Sequence, residues 1–342
     1  MKILVTGGAG FIGSNFIIQQ IKSTDNVILN FDKLTYAGNK SNLSCIEHSK
    51  NYKFIEGDIV DSELVWETIS SFLPDAIIHF AAESHVDRSI DGPMEFLNTN
   101  IIGTAILLES SRKYLDKGYK NRDSFRFLHV STDEVYGSLS HKGFFTEETA
   151  YNPSSPYSAS KASSDHLVRA WGKTFGIPFL ITNCSNNYGP YQYPEKLIPL
   201  MILNCFAEKP LPIYGDGKNV RDWLYVTDHC SAIYSVLLKG ENGETFNIGG
   251  NNELENINIV DMICNIMDEI SPRNNAESYS KLITYVSDRP GHDFRYAIDA
   301  SKIKKRLNWV PKESFSSGIR KTIKWYIDNK DWCKKIQNNY NE

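Results

Sequence analysis

Glycines crowd the junction between the first apolar run of the chain and the helical pattern that follows it. Residues 2–5 read Lys-Ile-Leu-Val, and residues 7–13 read Gly-Gly-Ala-Gly-Phe-Ile-Gly. Glycines let the backbone turn sharply from a strand into a helix and approach whatever lies at the strand's carboxyl end. The feature predicts a βαβ unit with a site for a pyrophosphate at the start of the first helix, although a simple tight turn is the alternative.

Strand and helix patterns alternate up to about residue 183. Runs typical of strands covered on both faces lie at residues 2–5, 27–31, 52–56, 75–80, 125–130 and 179–183. Between them, apolar residues recur at spacings of three and four, as in amphipathic helices. The alternation predicts an α/β fold with a doubly wound parallel sheet of the Rossmann type.

The pattern changes after residue 183, where prolines and short segments interrupt the alternation. We expect a cofactor-binding domain over residues 1–183 and a second, smaller mixed α/β substrate domain over residues 184–342. A helical stretch and a strand pattern at 244–248 suggest that residues 219–248 return to the first domain. The tail from Lys302 onwards is predicted to be helical.

Composition argues against several classes of protein. The 342 residues include 37 lysines and arginines against 41 acidic residues, a net charge of −4, which does not favour nucleic-acid binding. No apolar run reaches the ~18 residues of a membrane-spanning helix. Six cysteines without a Cys-x-x-Cys pair indicate reduced thiols rather than metal ligands. We therefore expect a cytoplasmic protein without metal, membrane or nucleic acid.

Acidic residues follow the second and third predicted strands. A carboxylate at Asp32 can accept hydrogen bonds from an adenosine ribose 2′-OH and would repel a 2′-phosphate, which favours NAD over NADP. The neighbouring Lys33 leaves NADP open. Asp58 is a candidate for contact with the adenine amino group, and capping of the next helix is an equal alternative.

Tyr157 and Lys161 lie one turn apart on a helix predicted after the fifth strand. A nearby ammonium group favours a phenolate, so Tyr157 is expected to act as a base far below the usual pKa of about 10. Tyr-x-x-x-Lys also occurs elsewhere, at residues 36–40, 214–218 and 326–330. Position decides in favour of Tyr157, which opens a long helix next to a sheet strand.

The fifth strand ends with Thr132, Asp133 and Glu134. Ligands of open α/β sheets bind at the carboxyl ends of the strands, so these side chains are placed for chemistry. Oxidation of an alcohol needs one base, whereas elimination of water from a sugar also needs a base for a carbon-bound proton and an acid for the leaving hydroxyl. The two carboxylates favour elimination, and capping of the turn is the alternative.

Basic side chains that could hold a diphosphate lie in the second half of the chain. Arg221 is one, and residues 288–293 read Asp-Arg-Pro-Gly-His-Asp. A guanidinium group binds phosphate through two parallel hydrogen bonds. A single arginine is more often a surface or ion-pairing residue, and that alternative stays open.

These segments together resemble the extended short-chain dehydrogenases/reductases that act on nucleotide sugars, and within them the dTDP-glucose 4,6-dehydratases. The resemblance runs along the whole chain and is carried by residues 7–16, 32–39, 131–137, 157–161, 185–199, 221–225 and 288–293. The Asp133–Glu134 pair discriminates, since related 4-epimerases usually carry other residues there.

The resemblance implies a reaction that converts dTDP-glucose into dTDP-4-dehydro-6-deoxyglucose and water with tightly held NAD. Tyr157 would take the proton of the sugar 4-OH as hydride passes from C4 to NAD, and Lys161 would orient Tyr157. Glu134 would remove the C5 proton, Asp133 would protonate the leaving 6-hydroxyl, and Thr132 would bind the 4-oxygen. Hydride would then return to C6.

The resemblance also implies two sets of contacts and a homodimer built from paired helices at residues 98–114 and 158–175. The cofactor would contact Gly7, Gly10, Phe11, Ile12, Gly13, Asp32, Lys33, Leu34, Thr35, Asp58, Ile59, Ala81, Thr99, Tyr157, Lys161 and Asn187. The nucleotide sugar would contact Ser84, Thr132, Asn186, Glu195, Lys196, Arg221, Asn256, Asp288, Arg289 and His292. A nucleotide-sugar 4-epimerase, a UDP-glucose 4,6-dehydratase and a non-catalytic NAD-binding sensor stay open as alternatives.

Overall fold

In a computed structural model, which describes residues 1–288 and 292–341, seven parallel strands form a central sheet. The strands of the chain are β1 (Lys2–Thr6), β2 (Val27–Asp32), β3 (Tyr52–Glu56), β4 (Ala76–His79), β5 (Arg126–Thr132), β6 (Phe179–Cys184), β7 (Asn186–Tyr188), β8 (Leu211–Tyr214), β9 (Val220–Tyr225), β10 (Thr245–Ile248), β11 (Glu253–Glu255) and β12 (Ile283–Val286). The central sheet has the order β10-β6-β5-β4-β1-β2-β3. The predicted Rossmann-type fold is confirmed, and its strand order reverses between β1 and β4, where such folds bind ligands.

Helices cover both faces of this sheet and build the second lobe. They are α1 (Phe11–Ser23), α2 (Ser62–Phe72), α3 (Val86–Asp91), α4 (Pro93–Phe96), α5 (Thr104–Asp116), α6 (Pro156–Phe175), α7 (Leu197–Phe206), α8 (Val226–Lys239), α9 (Asn256–Ile270), α10 (Ser301–Leu307), α11 (Phe315–Asp328) and α12 (Lys330–Asn341). The tail from Lys302 is helical, as predicted. Among the described residues, no helix combines the length and apolar character that crossing a membrane requires.

The segment 219–248 divides between the two parts of the molecule. Helix α8 packs on α1, and β10 pairs in parallel with β6 at the edge of the central sheet. Strand β9 does not join that sheet, because it pairs with β7 and β11 instead. Of this segment, α8 and β10 thus lie with the central sheet, and its assignment to the first domain stays a prediction.

Apolar residues form separate clusters in the two parts. Strands of the central sheet are buried on both faces, with Ile3, Ile78 and Phe127 fully covered. A further cluster joins α7, α9 and α11 to β8 and β9. Between these clusters, the carboxyl ends of β1, β4, β5 and β6 face the second lobe, and the candidate site lies there. The domain boundary near residue 183 remains a prediction.

Candidate active site

The glycine loop between β1 and α1 leaves no room for side chains. Gly7 has φ +72°, and a Cβ there would lie 2.5 Å from the backbone nitrogen of Ala81. A Cβ on Gly13 would lie 2.3 Å from the carbonyl oxygen of Gly7. Gly10 precedes α1, and no described side chain caps the helix. The first N–H groups of α1 therefore offer the donors that a pyrophosphate needs.

Asp32, at the end of β2, holds the backbone of two segments, the glycine loop and the turn that follows β2. Its Oδ2 accepts a hydrogen bond from the N–H of Ala9 at 2.8 Å, and its Oδ1 accepts one from the N–H of Leu34 at 2.8 Å. Burial is the largest effect on the carboxyl group and raises its pKa, while the two N–H groups oppose that shift. The side chain thus combines a structural role with a place at the cavity where the sequence predicts the adenosine ribose.

Lys33 and Asp58 form an ion pair in which Nζ lies 2.7 Å from Oδ2. Lys33, whose positive charge left NADP as an alternative cofactor, is therefore paired with a carboxylate. The capping role considered for Asp58 is wrong, because Asp61 caps α2 by accepting from the N–H groups of Glu63 and Leu64. Asp58 instead accepts a hydrogen bond from the N–H of Val60 at 3.1 Å.

Adjoining cavities follow the carboxyl edge of the central sheet. The first is lined by Gly7, Asp32, Lys33, Thr35, Asp58, Ile59, Ala81 and Thr99. The next is lined by Gly7, Phe11, Ile12, Gly13, Ser84, Thr132, Asp133, Glu134, Tyr157, Lys161, Asn186, Asn187 and Lys196. The outermost is lined by Asn186, Asn187, Glu195, Lys196, Arg221, Asn256 and His292. Shared lining residues connect these three cavities into one cleft.

A few of the predicted site residues do not line this cleft. Gly10 and Leu34 shape its walls through the backbone, Leu34 with φ 57°. Asp288 contacts His292, with Oδ1 2.6 Å from Nδ1. Arg289 lies outside the described residues.

Tyr157 is placed by the start of α6. Ser155 caps the helix by accepting from the N–H of Ser158, and Pro156 occupies the first helical position. Tyr157 and Lys161 are both buried and line the same cavity. The helix therefore presents the phenol and the ammonium group together at the ends of β5 and β6.

The pKa of Tyr157 departs from the sequence prediction. Burial, followed by the Glu134 carboxylate, raises it well above its ordinary value, and a hydrogen bond from Thr132 opposes the shift. Lys161 donates from Nζ to the carbonyl oxygen of Val130 at 2.9 Å. For the chain on its own the pKa shift is therefore opposite to the predicted lowering, because burial is its largest cause.

An ionised carboxylate lies behind Lys161, one turn further along α6. Asp165 Oδ2 accepts hydrogen bonds from Ser131 at 3.0 Å and Tyr151 at 2.7 Å, and Oδ1 lies 3.2 Å from Nε2 of His129. Burial acts to raise the pKa of Asp165, but these partners and Lys161 lower it overall. Burial lowers the pKa of Lys161 to about 8, and the charge of Asp165 opposes that shift.

The turn after β5 separates the two acidic side chains by environment. Thr132 caps the turn, since its Oγ1 accepts from the N–H of Glu134 at 3.3 Å. Asp133 is 1% exposed, and its Oδ2 has no hydrogen-bond partner within the described part of the chain. Burial and then the charge of Glu134 raise the pKa of Asp133 well above its usual value. Burial thus favours the protonated form of Asp133 at the cleft, whereas Glu134 is half-buried beside it.

Arg221 reaches the outer cavity from β9. Its guanidinium group donates to the carbonyl oxygens of Val220 at 2.8 Å and Asp293 at 2.9 Å, and lies 4.4 Å from the centre of the Tyr296 ring. These contacts hold a buried cation at the cleft wall, where a diphosphate could meet it.

An apolar wall of the outer cavity was missed by the sequence reasoning. It comprises Leu197, Leu200, Met201, Pro212, Ile213, Tyr214, Trp223 and Val286. Such residues carry no motif, and the irregular stretch after residue 183 gives no periodicity from which their common face could be read. Glu83 was also missed: it lines the first cavity, and burial raises its pKa to about 7.

The fold and this cleft define a class of protein: an α/β enzyme of the short-chain dehydrogenase/reductase type, with a glycine loop beside a Tyr–Lys pair. More particularly, the chain belongs to the GDP-mannose 4,6 dehydratase family, whose model matches residues 4–322. The resemblance noted in the sequence is thereby confirmed.

Curated and solved relatives agree with this assignment. A dTDP-glucose 4,6-dehydratase of Escherichia coli is 58% identical, covering 98% of this chain and 96% of that one. The dTDP-glucose 4,6-dehydratase of Bacillus anthracis, solved in complex with NAD, is 49% identical with a TM-score of 0.88, over 98% of this chain and 99% of that one. The Streptomyces venezuelae enzyme of the same name, solved with NAD and TYD bound, is 43% identical with a TM-score of 0.90, over 98% and 100%.

Proposed function

We propose that the protein is a dTDP-glucose 4,6-dehydratase, which converts dTDP-glucose into dTDP-4-dehydro-6-deoxyglucose and water with NAD as cofactor. The observation that carries the proposal is the buried acid Asp133 next to Glu134, in the same cavity as Tyr157 and Lys161. An epimerase has no water to eliminate and no use for such an acid–base pair. The names of the relatives support the same substrate.

The glycine loop fits a dinucleotide, because its glycines allow a close turn into α1 and no described side chain caps the N–H groups at the start of that helix. NAD, when bound, supplies the acceptor and later the donor of hydride, and its oxidised ring adds a positive charge that favours a phenolate. We assign the adenosine end to the cavity of Asp32 and Thr99, and the reactive end to the cavity of Tyr157 and Asn187.

The chain's own groups carry the proton transfers. Tyr157 accepts the proton of the sugar 4-OH, Lys161 holds a positive charge beside it, and Thr132 donates a hydrogen bond to the 4-oxygen. Formation of a ketone at C4 makes the C5 proton acidic, so Glu134 can remove it. Burial raises the pKa of Asp133, which suits it to give a proton to the 6-hydroxyl as water leaves.

The nucleotide end is assigned to the outer cavity. Arg221 and His292 would bind the diphosphate, with Lys196 and Asn256 completing the polar contacts. Asn256 Oδ1 is buried and has no hydrogen-bond partner in residues 1–288 and 292–341, as expected of a ligand contact. We further propose a homodimer in the cytoplasm, with residues 1–183 and part of 219–248 holding NAD and the remainder of the second half holding the nucleotide sugar.

Isotope labelling tests the proposal. Purified protein supplied with dTDP-glucose in D₂O, without added cofactor, should form a 4-keto product that carries deuterium at C5. UDP-glucose should turn over more slowly in a parallel reaction. Turnover without label at C5 would indicate a 4-epimerase, and bound NAD without any turnover would indicate a sensor, so either result would overturn the proposal.

A further inference from the structure

The last helix of the chain touches the loop that follows the second strand. Trp332, on α12, donates from its indole Nε1 to Oδ1 of Asn42 at 2.8 Å, across 290 positions of sequence. The family model ends at residue 322, so α12 lies beyond the part of the chain that defines the family. Nothing in the proposed reaction uses this contact.

Asn42 links Trp332 to the glycine loop through a second hydrogen bond. It is 2% exposed, and its Nδ2 donates to the carbonyl oxygen of Ala9 at 2.9 Å. The same carbonyl accepts from the N–H of Asn39 at 3.0 Å, and the N–H of Ala9 donates to Asp32 at 2.8 Å. The peptide groups on both sides of Ala9 are thus fixed by bonds from outside the loop.

Ala9 lies just before the start of α1, so these bonds act on the part of the loop that leads into the helix. Its carbonyl belongs to the peptide unit that leads into Gly10, directly before the first turn of α1. Glycine has little conformational preference of its own, so the path of such a loop depends on what holds it. The bonds to Ala9 therefore set the direction of the N–H groups that face a pyrophosphate.

Trp332 is itself held rigidly. Its ring centre lies 5.0 Å from that of Trp325 and 5.9 Å from that of Tyr191. The neighbouring Cys333 and Ile336 are buried at 3% and 2% exposure, which anchors α12 to the second lobe. A donor fixed in this way restricts Asn42 to the rotamer that reaches Ala9.

We propose that Trp332 is a positioning residue for the cofactor: through Asn42 and Ala9 it holds the glycine loop in the shape that retains NAD. The inference rests on the proposed NAD site. It assigns the C-terminal helix to cofactor retention and not to the chemical step.

The test follows the rate at which NAD leaves purified holoprotein after dilution. Trp332→Phe keeps an aromatic ring but removes the N–H, and it should speed release by about three- to ten-fold, the worth of one neutral hydrogen bond. Turnover at saturating NAD should stay unchanged. Trp309→Phe is the matched control, because Trp309 also donates its indole N–H to a side chain, Ser231 on α8 at 2.9 Å, and that bond does not involve Asn42 or Ala9.

A double-mutant cycle tests the route through Asn42. Asn42→Leu should speed release at least as much as Trp332→Phe, and Trp332→Phe should add nothing in that background. The inference is overturned if Trp332→Phe releases NAD at the wild-type rate, if Trp309→Phe has the same effect, or if the two changes are additive. Wild-type protein that holds no NAD at all would instead refute the proposed function, and this inference with it.

Discussion

The two ends of the cleft differ in the chemical groups that line them: backbone groups at the glycine loop and buried side chains at the catalytic end. At the glycine loop, backbone N–H groups are the proposed ligand donors, and both oxygens of Asp32 accept hydrogen bonds from N–H groups at 2.8 Å. At the catalytic end, buried side chains dominate, and the Oδ2 of Asp133 has no partner among the described residues. Burial shifts the pKa of Asp133 upwards and that of Lys161 down to about 8.

The difference separates binding from reaction. A loop whose polar groups are satisfied by the protein keeps one shape, which suits a cofactor that is to be retained. A set of buried titratable groups with spare bonding capacity can move protons when a substrate arrives. We therefore expect changes at one end to alter cofactor retention and changes at the other to alter rate, with little crossing over.

The largest effect is expected from Glu134→Gln. The amide cannot accept the C5 proton, so turnover should fall by about 10²- to 10⁴-fold, as for loss of a general base. Deuterium exchange at C5 should fall with it, while NAD release stays at the wild-type rate. Thr132→Ser, which keeps the hydroxyl at the 4-oxygen, serves as the control. Unchanged turnover would remove Glu134 from the mechanism, and faster NAD release would break the separation of the two ends.

A smaller effect, on binding alone, is expected from Asp32→Asn. One bond to the backbone N–H groups of Ala9 or Leu34 is lost, and hydrogen bonds to charged groups are worth enough to weaken NAD by about ten- to a hundred-fold. Titration with NAD measures this directly. Asp61→Asn is the matched control, because asparagine also caps helices. A change in the pH profile of turnover at saturating NAD would contradict the expectation.

The smallest effect is a shift in pH dependence from Asp165→Asn. Lys161 is fully protonated well below its pKa of about 8 and loses its positive charge as pH rises through that value. Because the proposed mechanism uses that charge, kcat/KM should decline on the alkaline side. The negative charge of Asp165 raises the pKa of Lys161. Without that charge the pKa of Lys161 falls, so the alkaline decline should move to lower pH by about one unit. Rates near pH 6.5 should change little. A decline that stays in place would show that Asp165 does not act on Lys161.

The sequence was informative where a local pattern determines the structure. Alternating apolar runs predicted the central sheet, and the glycines predicted the turn into α1, because both depend on neighbours in sequence. The choice of Asp61 over Asp58 as the cap of α2 was not predictable, since either residue suits a helix start. The direction of the Tyr157 pKa shift also escaped, because it depends on burial by elements distant in sequence.

The outer cavity shows the same limit. Polar members such as Arg221 and Asn256 could be proposed from a resemblance, whereas the apolar wall from Leu197 to Val286 could not. That wall is assembled from α7, β8, β9 and β12, and the periodicity of one segment cannot reveal a surface that four elements share. Whether the proposed residues contact the nucleotide sugar stays a prediction.

The bond between Trp332 and Asn42 has a consequence for biosynthesis. Because it joins positions 290 residues apart, it cannot form until Trp332 has left the ribosome. The nascent N-terminal segment could already adopt its strands and helices, but its loop would lack one of its restraints. Firm retention of the coenzyme would then begin only once α12 has emerged, so shorter nascent chains would compete poorly for the cell's dinucleotide pool.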